Sequence, residues 1–255
     1  MADSLSLTTK GRTVFLATKP QVVDTDSISK ACPSDGTTSL EEGCYLLQTN
    51  TIYIRVMPDE LKSDETVTAA HEMLHAAYQK YDDSTRTQVN AMVEGQYSSM
   101  NDSALNSRVA DYNKSEPGAQ DAELYAILGT EYGGLSTGLE SEYSKYFTDR
   151  QTEVNAASQT KTTFDNYISR LDNQKGIIDN EKTLADKYLN ASYSWANSGN
   201  AYEDDYYYNL YSNEYNNASL NIDSYNQLVD KYNLLVDEYS GAAYTPLSQS
   251  QKIGN

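Results

Sequence analysis

Residues 150–240 contain two glycines and no proline, so a helix can run uninterrupted on either side of Ser198-Gly199-Asn200. In the second half Tyr208, Tyr215, Ile222, Val229 and Val236 recur every seven residues, and Tyr211, Ala218, Tyr225, Tyr232 and Tyr239 repeat three places later. An apolar pattern of that period is an a/d seam, which buries itself against a second helix. The first half supplies the partner: Phe164, Leu171, Ile178 and Ala185, with Tyr167, Ile168, Tyr188 and Leu189 between them. The sequence therefore predicts an antiparallel helical hairpin (a coiled coil) over 150–242, with arms of roughly 60–70 Å at 1.5 Å per residue. Its many tyrosines suit a thin core, because ring bodies bury while hydroxyls reach water. Core packing accounts for them better than a nucleotide- or lipid-binding stripe. The hairpin also offers a surface to another protein, and residues 243–255 read as a flexible tail.

Residues 1–149 carry a different kind of pattern. The run Thr66 to Tyr81 contains His71-Glu72-Met73-Leu74-His75, and the chain has no other histidine. On a helix, positions i and i+4 lie one above the other, so His71 and His75 can present two imidazoles to one Zn²⁺. Glu72, one residue round, is placed to act as general base toward an attacking water. Ala69, Ala70, Ala76 and Ala77 favour the helix. The spacing is the zincin signature. The structural alternative is an amphipathic helix whose histidines merely align, but two imidazoles and a carboxylate make a poor apolar face without a metal.

A catalytic zinc needs a third protein ligand and an open position. No third histidine exists and both cysteines precede the motif, so a carboxylate is expected. Glu123 and Glu131 are the candidates; eight residues apart on a helix, they point roughly 80° apart. Glu123, in a solid helical run with small Ala126 beside it, is the expected ligand. Glu131 is left as an alternative ligand, a partner to a ligating histidine, or a helix-end residue. Tyr112 and Tyr125 are candidates for a hydroxyl that stabilises an oxyanion.

The remaining elements read as a scaffold. A short helix around Leu7 to Thr18 buries Val14, Phe15 and Leu7 and stops at Pro20. Residues 24–44, with Pro33, Gly36 and Gly43, read as a loop with one helical turn at Ser27 to Ala31. Cys44 to Gln48 and Thr51 to Val56 form a hairpin around Thr49-Asn50. The second strand presents Ile52, Ile54 and Val56 on one face and is the expected edge for an extended peptide. Helices follow over 83–100, 103–112, 121–131 and 139–147, with breaks at Glu116-Pro117-Gly118 and Gly133-Gly134. The fold class expected is mainly α with a small β-hairpin or sheet: a zincin-like metallopeptidase domain over 1–149, the hairpin, and the tail.

Composition narrows the partners. A net charge of −18 argues against nucleic acid and against anionic membrane surfaces. Twenty-three tyrosines beside three phenylalanines and one tryptophan, among many Asn, Ser, Thr and Asp, resemble the make-up of exported proteins. In an exported chain Cys32 and Cys44 form a disulfide; in a cytosolic one they are free thiols. The composition favours the former. Met1-Ala-Asp-Ser-Leu-Ser lacks the basic and apolar regions of a signal peptide. The expected location is extracytoplasmic, secreted or surface-anchored, with the export segment and any membrane anchor removed; a cytoplasmic chain is the alternative.

Residues 5–150 resemble a family of bacterial exported or membrane-anchored zinc metallopeptidases. The likeness rests on Gly11, Phe15 and Pro20, on Cys32, Gly43-Cys44-Tyr45 and Ile52-Tyr53-Ile54, on Thr68 to Tyr78, on Glu123 to Glu131, and on Tyr146-Phe147. More broadly the layout is similar to that of gluzincins, including the catalytic domain of anthrax lethal factor, whose third ligand lies in a Glu-x-x-Ala run matched here by Glu123 to Ala126. The resemblance implies a zinc-dependent endopeptidase acting on peptide or protein substrates. A surface binding or spacer protein with a zinc-stabilised domain is the non-enzymatic alternative, and cell-wall amide hydrolysis a third.

Overall fold

A computed structural model describes residues 1–32, 42–115, 117–239, 246–247 and 251–254. Pro33, Gly36 and Glu116, which entered the sequence reading, and most of the tail over 243–255 lie outside them. The chain is mainly helical, with a small three-stranded sheet and a long helical hairpin. It divides into two compact units, 1–163 with 238–244 and 164–237 with 245–255. The boundary thus falls inside a helix, not at 149/150. The start of that helix belongs to the first unit because Arg150 donates to the carbonyls of Leu128, Gly129 and Tyr132, and Thr160 pairs with Ser63.

In the first unit, α1 (Thr9–Ala17) is capped by Thr8, whose hydroxyl accepts from Gly11 N–H. It buries Val14 and Phe15 but leaves Leu7 half-buried before it. β1 (Gln21–Val23), not expected from the sequence, is too short to show alternation. α2 (Thr25–Ala31) is capped by Asp24, and Cys32 just beyond it is bonded to Cys44. β2 (Gly43–Leu46) and β3 (Thr51–Arg55) form the expected antiparallel hairpin, with Cys44 opposite Tyr53 and Asn50 at φ 49° in the turn. β1 adds to β3 in parallel, so the order is β1-β3-β2. This corrects the expected edge: β3 is central, and β2 is an outer strand. Ile52 and Ile54 are buried as expected, but Val56 lies past the end of β3 and is 48% exposed.

α3 (Lys62–Tyr78) follows, then α4 (Asp83–Ser99), α5 (Ser103–Ser115), α6 (Gln120–Glu131) and α7 (Thr137–Tyr143). One apolar core joins α1, β3 and α3 to α6, through Phe15, Ile52, Ile54, Met73, Leu74, Leu124 and Ile127.

The hairpin is α8 (Gln151–Asn197) and α9 (Ala201–Glu238), about 70 and 57 Å long. Gly199 takes φ 78° in the turn, and the Asn200 side chain accepts from Glu203 N–H at the start of α9. Phe164 meets Tyr232, Asn221 donates to Glu181, Tyr188 meets Tyr207 and Ser192 bonds Asp204, which fixes the antiparallel register. Phe164, Leu171, Ile178, Ala185, Ala218, Ile222, Tyr225, Val229, Tyr232 and Val236 are buried as the seam requires. Tyr208 and Tyr215 are not; they are 53% and 54% exposed. A straight helix drifts by ~20° per heptad against a 3.5-residue repeat. Four heptads back from Val236 the inward position has moved from Tyr208 to Tyr207, which pairs with Tyr188.

Described residues of the tail have side-chain partners on α9. Asn226 and Asn233 each use both ends of the side-chain amide, donating to and accepting from the backbones of Ile253 and Leu247. Lys252 pairs with Asp230 at 2.6 Å.

Candidate metal centre

α3 brings the motif together as its spacing requires. His71 Nε2 and His75 Nε2 lie 3.0 Å apart. Glu123, on α6, places Oε1 3.2 Å from His75 Nε2 and Oε2 3.5 Å from His71 Nε2. Ligand atoms about 2.0–2.1 Å from a zinc ion at tetrahedral angles stand about 3.3 Å from one another; the two imidazole nitrogens are close to that spacing, each has one of the two Glu123 oxygens at a similar distance, and with one atom from each residue the group lies within 4.8 Å. Among the described residues this is the one group of three or more His, Cys, Asp or Glu whose ligand atoms converge. Two neutral nitrogens and a carboxylate are a donor set that suits zinc; the fit does not by itself choose among divalent transition metals.

Packing of α6 on α3 puts Glu123 there. A Cβ at Gly129 would stand 2.4 Å from Leu74 Cδ1 and 2.7 Å from Tyr143 Cε1, so glycine lets the helices approach within one residue of His75. Tyr78 donates to Asn90, which donates to Asp121 in the first turn of α6. Tyr143 donates to the carbonyl of Tyr125.

The electrostatics follow from burial and proximity. Burial drives the His75 pKa down to about 4. For His71 burial acts the same way, but the hydrogen bond to Glu123 and the charge of Glu72 outweigh it and raise the pKa. Burial pulls Glu123 up, yet His75 and His71 pull it further down, to about 2. Glu123 is therefore held ionised and His75 neutral, while His71 holds its proton more firmly and must release it to ligate a metal.

Glu72 is 7% exposed. A Cβ at Gly43 would lie 3.3 Å from its Cγ and 2.4 Å from Thr68 Cγ2. The first residue of β2 thus runs directly over the face of α3 that carries Glu72, and only glycine fits so close.

Glu131 is not in the triangle. It closes α6 and forms a two-pronged ion pair with Arg108 of α5, at 2.6 and 3.0 Å. Arg108 also hydrogen-bonds Tyr112, and the Tyr112 phenol feels the charge of Glu123. Tyr112 is thus on the metal side of α5. Tyr125 is not: its hydroxyl meets that of Tyr81 at 2.9 Å, in a buried cluster with Tyr146 and Glu142. Arg108 was not singled out in the sequence, and Gly43 was read only as a loop residue and a landmark of the resemblance. The available signal for Arg108 was its position one helical turn before Tyr112.

The disulfide is compatible with an oxidising, extracellular location, and no described helix is long and apolar enough to cross a membrane. No protein-family model, curated protein or solved structure matches the chain.

Proposed function

We propose that the chain is a zinc-dependent endopeptidase that acts outside the cytoplasm. The observation that carries this reading is the triangle of His71, His75 and Glu123 with the Glu72 carboxylate beside it. A metal group of three side chains leaves a coordination position for water or substrate, the pattern of catalytic rather than structural zinc.

When bound, zinc supplies Lewis acidity toward a carbonyl and acidifies water. His71, His75 and Glu123 would hold it. Glu72 sits one residue round the helix from His71, suited to accept a proton from the attacking water and pass it to the leaving amine. The burial of Glu72 limits competing bulk water. β2, with Gly43 against Glu72, has an edge that no other described strand pairs with, and this edge is the place for an extended peptide. Tyr112, held by Arg108, is the better placed of the two tyrosines to donate to a developing oxyanion.

An unbiased peptide-library digest with and without chelator tests this, run beside Glu72→Gln. Chelator-sensitive cleavage, reduced at least ~10²-fold in a variant that still binds zinc, is the expected result. Cleavage by Glu72→Gln at the wild-type rate would overturn the mechanism.

A further inference from the structure

Within the hairpin unit, the seam opens where its two smallest members, Ala185 on α8 and Ala218 on α9, line one stretch of it. The result is a notch of about 240 Å³ floored by these alanines with Leu189 and Ile222. The rings of Tyr211 and Tyr215 stand along it, centroids 5.8 Å apart. Tyr215 is one of the two tyrosines that the heptad pattern assigns to the core and the structure leaves half exposed. Asp186 lines the same notch and forms no ion pair among the described residues.

An apolar floor, two ring faces and an unpaired carboxylate together match one kind of side chain: a long aliphatic stem that ends in a cation. The stem lies on the alanines, the charged head meets the electron-rich rings, and the carboxylate completes the pair. Arginine suits this better than lysine, because its planar guanidinium stacks on a ring while donating to a carboxylate. The chain's net charge of −18 draws basic partners to it and repels acidic ones. Lys182 also lines the notch; it opposes a cation there, but its stem lets the ammonium turn to solvent.

We propose that this notch is a docking site for an arginine side chain of a basic protein partner. The site is independent of the metal centre and of any peptidase activity.

The test uses the full chain and a peptide of glycine-spaced D-arginines, which resists cleavage, with its citrulline counterpart as the neutral isostere. Titration calorimetry should show the arginine peptide binding and the citrulline peptide at least ~5-fold weaker. Tyr215→Ala and Asp186→Asn should each weaken binding ~3- to 5-fold, and Lys182→Ala should strengthen it. Asp172→Asn, which removes the same charge elsewhere on α8, should change little. Equal losses in Asp186→Asn and Asp172→Asn would reduce the effect to general surface charge and overturn the proposal. So would equal binding of the two peptides, or a preference for a neutral glycan such as a chito-oligosaccharide over both.

Discussion

Phe164, Ile178, Val229 and Tyr232 in the hairpin unit and Asp64, Glu72, Glu123 and Glu153 in the first unit are all nearly out of solvent, yet they are there for different reasons. The hairpin buries rings and aliphatic chains in one stripe, and each such residue stabilises the pair of helices by leaving water. The first unit buries ionisable groups, and among the described residues both Glu153 oxygens and Asp64 Oδ2 have no hydrogen-bond partner. Burial pushes Asp64 well above the ordinary carboxyl range, and the neighbouring Glu42 adds to it. Unpaired buried carboxyls cost stability.

The sharpest way to break the contrast is to put a charge into the seam. Tyr225→Asp buries a carboxylate among apolar side chains and should destabilise the hairpin by about 3–5 kcal/mol, seen as lost helicity in circular dichroism. Zinc content should not change; loss of zinc with helicity retained would show that the units had been divided wrongly. Reducing the Cys32–Cys44 disulfide, which closes a short loop beside the sheet, should cost the first unit about 3 kcal/mol in urea unfolding and leave hairpin helicity intact.

Glu153 gives a pH-dependent version of the same test. Burial raises its pKa from 4.5 to about 8. The folded form holds the proton while the unfolded form releases it, so stability is fullest below pH 4.5 and declines as pH rises through about 8. Glu153→Gln should therefore gain about 2–3 kcal/mol at pH 7, with the two stability curves meeting near pH 4. Parallel curves across that range would refute the assignment. The smallest effect expected is that of Gly129→Ala. Its new methyl must displace Leu74 and Tyr143, at about 1–2 kcal/mol, together with weaker zinc binding as α6 moves off α3.

Much of this was legible in advance because two periodicities carry it. The i, i+4 histidines specify a helix with two imidazoles on one face, and the heptads specify two long helices and their pairing. What could not be read was set by tertiary approach. β1 has three residues, too few for an alternation signal. The central place of β3 depends on a parallel neighbour that no local pattern announces. The exposure of Tyr208 and Tyr215 comes from drift accumulated over several heptads, invisible in any single one. Tyr125 was a candidate beside Tyr112, but it stands two places from Glu123 on α6, and two places along a helix turns a side chain to the opposite face.

Zinc affinity measured by competition with a chromogenic chelator, on the wild type and on Glu123→Ala and Glu131→Ala, tests the central claim most directly. The wild type should bind about one zinc, Glu123→Ala should lose it for want of a third ligand, and Glu131→Ala should retain it, because Glu131 pairs with Arg108 and lies outside the metal group. Zinc retained in Glu123→Ala and lost in Glu131→Ala would contradict the account.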